Sequence, residues 1–305
     1  MRLKPGRPDI SAYADRFAVP RASGELSVTF LGVATVLLTD GTSAVMTDGF
    51  FSRPSLPRVA VTKLSPDLAR IDAALARAGV TTLEAVVPVH THYDHAQDSA
   101  VVAQRTGAAL VGGPSAVQVG RGSDLPADRI REVASGESVR LGAWTLAFTA
   151  SEHCPPDRFP GAITTPVVPP VSARAYRCGD AWSIVATHDS GRTALLQGSA
   201  GYVPGALATQ SAEVAYLGVG QLGVQPESYI EAYWEHTVGA VGATVVVLTH
   251  WDDFFRGLDK PLRALPYAGD DLDVTMRVLD RLAARDGVRI LFPTVFERED
   301  PWALV

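Results

Sequence analysis

His90-Thr91-His92-Tyr93-Asp94-His95 follows directly on the apolar run Ala85-Val86-Val87-Pro88-Val89. Three imidazoles and a carboxylate within six positions, where a strand gives way to a loop, form a metal-ligand constellation. Imidazole nitrogen and carboxylate oxygen are the donors that zinc and its first-row neighbours prefer. Side chains alternate along an extended segment, so His90 and His92 fall on one side and can grip one ion. If the chain then turns into a helix, Asp94 and His95 are presented to a second ion nearby. A solitary histidine is usually a core or surface residue. Four ligand-type side chains at one strand end are a different matter, because such loops are where rigid scaffolds carry chemistry.

Around this motif lie 305 residues, enough for one large domain or two small ones. Hydrophobic residues at 47% and charged residues at 20% place the chain among ordinary globular proteins. The formal net charge is −6, and lysine occurs only at positions 4, 63 and 260. No basic cluster could track a phosphate backbone, which argues against nucleic acid as a partner. Cys154 and Cys178 are too few for a disulfide framework. No secretory h-region follows the N-terminus, and no run reaches the ~18 apolar residues of a membrane span, so a cytoplasmic location is the expectation.

Residues 1–24, rich in Pro, Arg and Asp, are expected to form an arm, and 25–305 a single domain. Strands are expected at 26–31, 35–39 and 43–47, with Asp40-Gly41 as a hairpin turn. Ser65-Pro66 has the form of a helix N-cap ahead of Leu68, Ile71, Leu75 and Ala78. The motif strand, 85–89, leads to a helix at about 96–105 and a strand at 108–111. Further strands are expected at 130–134, 138–141, 144–149, 180–187 and 192–197. The six prolines within 154–172 exclude a sheet interior and mark a long loop near the site. Helices at 226–236 and 271–285 flank a buried strand at 245–248 that ends at Thr249-His250. Strands lead and helices close each half, with a faint echo between halves. That order implies an α/β protein, a four-layer α/β/β/α sandwich.

His-x-His-x-Asp-His resembles the signature of the metallo-β-lactamase superfamily of hydrolases. The resemblance extends over about residues 25–295 through the strand-Gly-strand opening, Asp48 in Thr-Asp-Gly, the motif itself, and single later histidines at 153 and 250. Leu248-Thr249-His250-Trp251-Asp252-Asp253-Phe254 is similar to the branch of ascorbate-phosphate lactonase and N-acyl-phosphatidylethanolamine phospholipase D. The resemblance implies one ion on His90, His92 and His153 and a second on Asp94, His95 and His250. It also implies a catalytic role for Asp94 and zinc as cofactor, one or two ions, with manganese or iron as substitutes. A redox di-iron branch of the same fold usually has Glu where His92 stands. One departure is plain: Gly198-Ser199-Ala200-Gly201 stands where the family places a bridging aspartate. A neutral hydroxyl is a poorer ligand than a carboxylate, so the second ion is expected to bind more weakly, or Asp94 to take more of the bridging.

Asp48 is a candidate to orient a ligand histidine. Phe50, Phe51, Tyr202, Trp251 and Phe254 are candidates for the wall of a substrate pocket, with ordinary core as the competing explanation. Arg53, Arg58 and Arg256 could clamp an anion, against a plainer reading as solvated loop charge. His188 fits a turn, His236 a helix end, and Cys154 a small buried hydrophobe. The implied activity is metal-dependent hydrolysis of an ester, lactone or phosphoester bond in a small molecule. The alternative, motivated by Ser199, is a metal-binding scaffold or sensor with little turnover.

Overall fold

A computed structural model describes residues 4–305; positions 1–3 of the expected arm lie outside the described residues. The first sheet is laid down by β1 (Ser27–Phe30), β2 (Val36–Thr39), β3 (Ala44–Thr47), β4 (Ala85–Val87), β5 (Ala109–Gly112) and β6 (Ile130–Glu132). The second contains β7 (Ser138–Leu141), β8 (Trp144–Ser151), β9 (Ala181–His188), β10 (Thr193–Gln197), β11 (Val214–Gly218), β12 (Val245–Thr249) and β13 (Arg289–Leu291). β14 (Arg298–Glu299) then returns to pair with β1, so each sheet has seven strands.

Both sheets follow one plan. Antiparallel pairing through β1, β2 and β3 changes to parallel pairing from β3 to β6. Likewise β7 to β10 are antiparallel and β10 to β13 parallel. Parallel neighbours require crossovers, which helices supply. In the first half these are α1 (Leu56–Val61), α2 (Leu68–Arg77), the single turn α3 (Tyr93–Ala96), α4 (Ser99–Thr106) and α5 (Pro114–Gly122). In the second they are α6 (Glu227–Trp234) and α7 (Leu272–Asp286).

Alternation along the strands divides the apolar residues among three interfaces. Val245 and Val247 of β12 meet Ala85 and Val87 of β4 between the sheets, with Trp144, Phe148 and Tyr216. Val246 and Leu248 face the other way, onto Ile230 and Tyr233 of α6 and Met276 and Leu279 of α7. Val86 and Leu110 pack beneath Ile71 and Leu75 of α2 and Val102 of α4. Three stacked apolar interfaces make four layers, the expected α/β/β/α sandwich.

Local differences have local causes. α2 is capped by Asp67, whose carboxylate accepts from the Arg70 N–H at 3.2 Å, rather than by Ser65. β4 stops at Val87 because Pro88 has no N–H to pair. The helix expected at 96–105 forms as α3 and then, after a break at Gln97-Asp98, α4. α1, α5, β11, β13 and β14 were not expected: α1 is one short turn and a half, α5 carries two glycines, and the three strands are only five, three and two residues long. The segment before β1 lies along the second half of the molecule. Phe17 stacks on Phe292 with ring centroids 5.3 Å apart, and Arg16 pairs with Asp280 at 3.1 Å. No helix among the described residues is long and apolar enough to cross a membrane.

Candidate metal centre

Five loops meet at one edge of the sandwich, each leaving the carboxyl end of a strand: β3 (Asp48), β4 (His90–His95), β8 (His153), β10 (Ser199) and β12 (His250). Crevices at strand carboxyl ends are the usual ligand sites of open α/β sheets. The β4 loop is pinned from both sheets. The Val89 N–H donates to Asp48 Oδ1 at 2.8 Å, and the Trp182 N–H of β9 donates to the Val89 carbonyl at 2.9 Å. The Thr91 N–H donates to the Cys178 carbonyl at 2.8 Å, and His92 beside it has extended backbone.

The residues named from the sequence come together. His90, His92 and His153 place ligand atoms within 4.8 Å of one another, and Asp94, His95 and His250 do the same. His90 and His95 have ring centroids only 3.8 Å apart, so the two triads adjoin. Asp94 Oδ2 lies 3.7 Å from His95 Nε2 and 3.6 Å from His250 Nε2.

Three of the five rings are turned by a partner on the far side. Asp48 Oδ2 faces His95 Nδ1 at 2.7 Å, so that nitrogen carries the proton and Nε2 keeps its lone pair. His153 Nδ1 faces the Cys154 carbonyl at 2.6 Å, again leaving Nε2 free. His92 Nε2 faces Asp157 Oδ1 at 3.1 Å and the Phe159 carbonyl at 3.4 Å, which leaves Nδ1. Asp157 was invisible in the sequence, one acid among the prolines of a long loop. His250 and Asp48 both take left-handed backbone, with φ of 56° and 54°. Such conformations cost roughly 1–3 kcal/mol each and concentrate at functional sites. His250 is held there by its N–H donating to the Val33 carbonyl at 2.6 Å, while the Val33 N–H donates to Asp252 Oδ1 at 2.9 Å.

The electrostatics favour cation binding. Burial pushes His90 well below the ordinary imidazole range, and the neighbouring rings push it further. Burial and His92 bring His153 down to about 4. Burial also lowers His92, against the pull of Asp94 and Asp157. Burial alone would raise Asp94, but the nearby His95 and His250 rings outweigh it and keep the carboxylate ionised. Both nitrogens of His90, Nε2 of His95 and Nδ1 of His250 are buried without a hydrogen-bond partner. Orphaned buried polar atoms are rare in folded proteins, and a cation would satisfy one nitrogen of His90 and Nε2 of His95. Burial lowers His95, but Asp48 and Asp94 outweigh it and raise that ring above its ordinary value; imidazoles with one carboxylate suit zinc, and manganese or iron less closely.

Ser199 is at the site but is used differently from a ligand. Its Oγ accepts the Cys154 N–H at 3.0 Å and so steadies the backbone next to His153. Cys178 and Asp157 place ligand atoms within 4.8 Å of a nitrogen of His92. Burial and the adjacent Asp157 keep the Cys178 thiol protonated.

The expected pocket wall needs correction. A cavity of about 530 Å³ opens over the two triads and is lined by Phe254, but Phe50, Phe51, Tyr202 and Trp251 do not line it. Phe50 and Phe51 face the helix layer of the first sheet, where Phe50 meets Tyr93 edge-on. Trp251 follows His250 but points into the core, against Phe17 and Phe292. Tyr202 stacks on His236 with centroids 5.2 Å apart, beside α6. Arg53 is neither a clamp nor solvated: fully buried, it pairs with Asp252. Arg58 is exposed on α1, and the Arg256 Nε–H donates to the Pro261 carbonyl at 3.0 Å. His188, between Asp40 at 3.2 Å and Ser190 at 2.8 Å, is the turn histidine expected.

No family model matches this sequence, and no curated protein matches it. Solved structures do. Igni18, a novel metallo hydrolase from Ignicoccus hospitalis, aligns over 90% of this chain and 96% of its own, with TM-score 0.52 and 15% identity. A possible metal-dependent hydrolase from Veillonella parvula aligns over 92% and 99%, with TM-score 0.52 and 16% identity. CmlA, a diiron beta-hydroxylase from Streptomyces venezuelae, aligns over 91% of this chain but 54% of its own, with TM-score 0.55 and 12% identity. At such identities the likeness is one of fold, the four-layer α/β/β/α sandwich.

Proposed function

We propose that this chain is a metal-dependent hydrolase that cleaves an ester, lactone or phosphoester bond in a small molecule. The observation that carries the proposal is the pair of adjoining ligand triads, with orphaned ring nitrogens, on the floor of a cavity. When bound there, zinc or a related dication would supply Lewis acidity and a hydroxide nucleophile at neutral pH. His90, His92 and His153 would hold one ion, and Asp94, His95 and His250 the second. Asp94, ionised and reaching the cavity, can also take a proton and return it to a leaving group. Asp48 and Asp157 orient the His95 and His92 rings. The late segment 248–254 supports the lactonase and phospholipase D-like branch. The diiron likeness supports iron as a competing occupant, while His92 in place of Glu favours zinc.

The test replaces His90 and His92 together with alanine, then measures metal content and turnover on a panel of esters, lactones and phosphoesters. Metal content and hydrolysis should both fall to background. Full activity in the metal-free double variant would refute the proposal. A second reading, a scaffold with little turnover, is motivated by Ser199. Metal-replete protein inactive on the whole panel would favour it.

A further inference from the structure

We propose that the cavity selects substrates that carry an anionic oxygen group, carboxylate or phosphate, on an apolar body; this rests on the hydrolase reading above. The walls contributed by Leu56, Phe254 and Phe255 are apolar, and Leu56 stays 56% exposed at the rim. Three guanidinium groups, Arg7, Arg158 and Arg263, line the same cavity. Its acidic lining consists of Asp94, which belongs to the metal centre, and Asp253. Asp253 Oδ2 accepts from both Arg263 (2.9 and 3.0 Å) and Arg7 (3.2 Å), so one carboxylate serves two cations. Arg158 has no ion pair among the described residues. The cavity wall is therefore locally cationic in a chain of net charge −6, where a general anion affinity is not expected.

Arg158 is exposed and its side chain has no hydrogen bond among the described residues, but its backbone is held beside the centre. Asp157 on one side bonds His92, and Phe159 on the other meets the His92 ring edge-on at 6.1 Å. The Phe159 N–H donates to Asp157 Oδ1 at 2.9 Å, and the Cys178 N–H donates to the Phe159 carbonyl at 2.9 Å. The turn that carries Arg158 is thus tied to the metal centre at both ends. A guanidinium there can meet carboxylate or phosphate oxygens in paired hydrogen bonds while the scissile bond lies over the triads.

The experiment compares three para-nitrophenyl esters of equal chain length, ending in methyl, carboxylate or phosphate, on zinc-loaded protein. At least one anionic ester should exceed the neutral one in kcat/KM by roughly tenfold, the effect of one charge-assisted hydrogen bond. The two anionic arms separate carboxylate from phosphate. R158Q should reduce that ratio about tenfold, and R158E should invert it. Equal kcat/KM for charged and neutral esters, or a ratio unchanged in R158E, would overturn the proposal. If no ester is cleaved, the hydrolase reading fails separately, and calorimetry with phenylphosphonate then decides. Tighter binding to zinc-loaded wild type than to R158E supports the anion-selective cavity, and equal binding overturns it.

Discussion

At the residue scale, the centre depends on the polar partners that turn three of its imidazoles, His92, His95 and His153. Asp48 is the clearest case, fully buried, with one oxygen on the Val89 N–H and the other on His95. D48N keeps the shape but puts an amide where His95 needs an acceptor. Metal affinity, measured by chelator competition, should fall about 10- to 100-fold; an unchanged affinity would assign Asp48 to the loop alone. The pH dependence follows from the rings themselves. Metal binds neutral imidazole, and His90, His92 and His153 are all below their ordinary value of 6.5, with His153 at about 4. Protons therefore compete with the ion less than they would at free imidazoles. Apparent affinity for the ion on these three rings should change little from pH 8 to 6 and weaken below that. A steep loss already between pH 7 and 6 would contradict the assignment. Ligand residues were legible at this scale because four donors in six positions have no bland explanation. Asp157 was not, since its role arises only when the proline loop folds back onto His92.

At the element scale, strand ends deliver the ligands, and small residues make room for them. Gly220 lies in the loop after β11, where an added Cβ would sit 2.5 Å from Nδ1 of His250. Its backbone is not in the left-handed region, so G220A tests space rather than strain. G220A should fold, keep the ion on His90, His92 and His153, and lose most of its affinity for the other. Titration that still finds two equivalent ions would show that His250 can move aside. Most strands were legible from alternation and turn residues. The pocket wall was not: Trp251 adjoins a ligand in sequence, yet its side chain turns toward Phe17 and Phe292. Sequence neighbours along an extended chain face opposite ways, and a pocket candidate cannot be told from a core residue without the partner layer.

For the whole molecule, two halves of one plan bring the centre together. The first half supplies Asp48 and the motif, and the second supplies His153 and His250, so the metal centre spans the interface between sheets. The four layers were legible because each half runs from strands to helices. The placement of the N-terminal segment was not, since its contacts with α7 and the 250–264 region lie more than 230 positions away. The most direct measurement is anomalous scattering at the zinc edge from crystals of zinc-saturated protein. One peak is expected among His90, His92 and His153, and a second among Asp94, His95 and His250, with ligand distances of about 2.0–2.2 Å. Rings of His153 and His250 far from residues 90–95, with no anomalous peak near either triad, would contradict the centre outright.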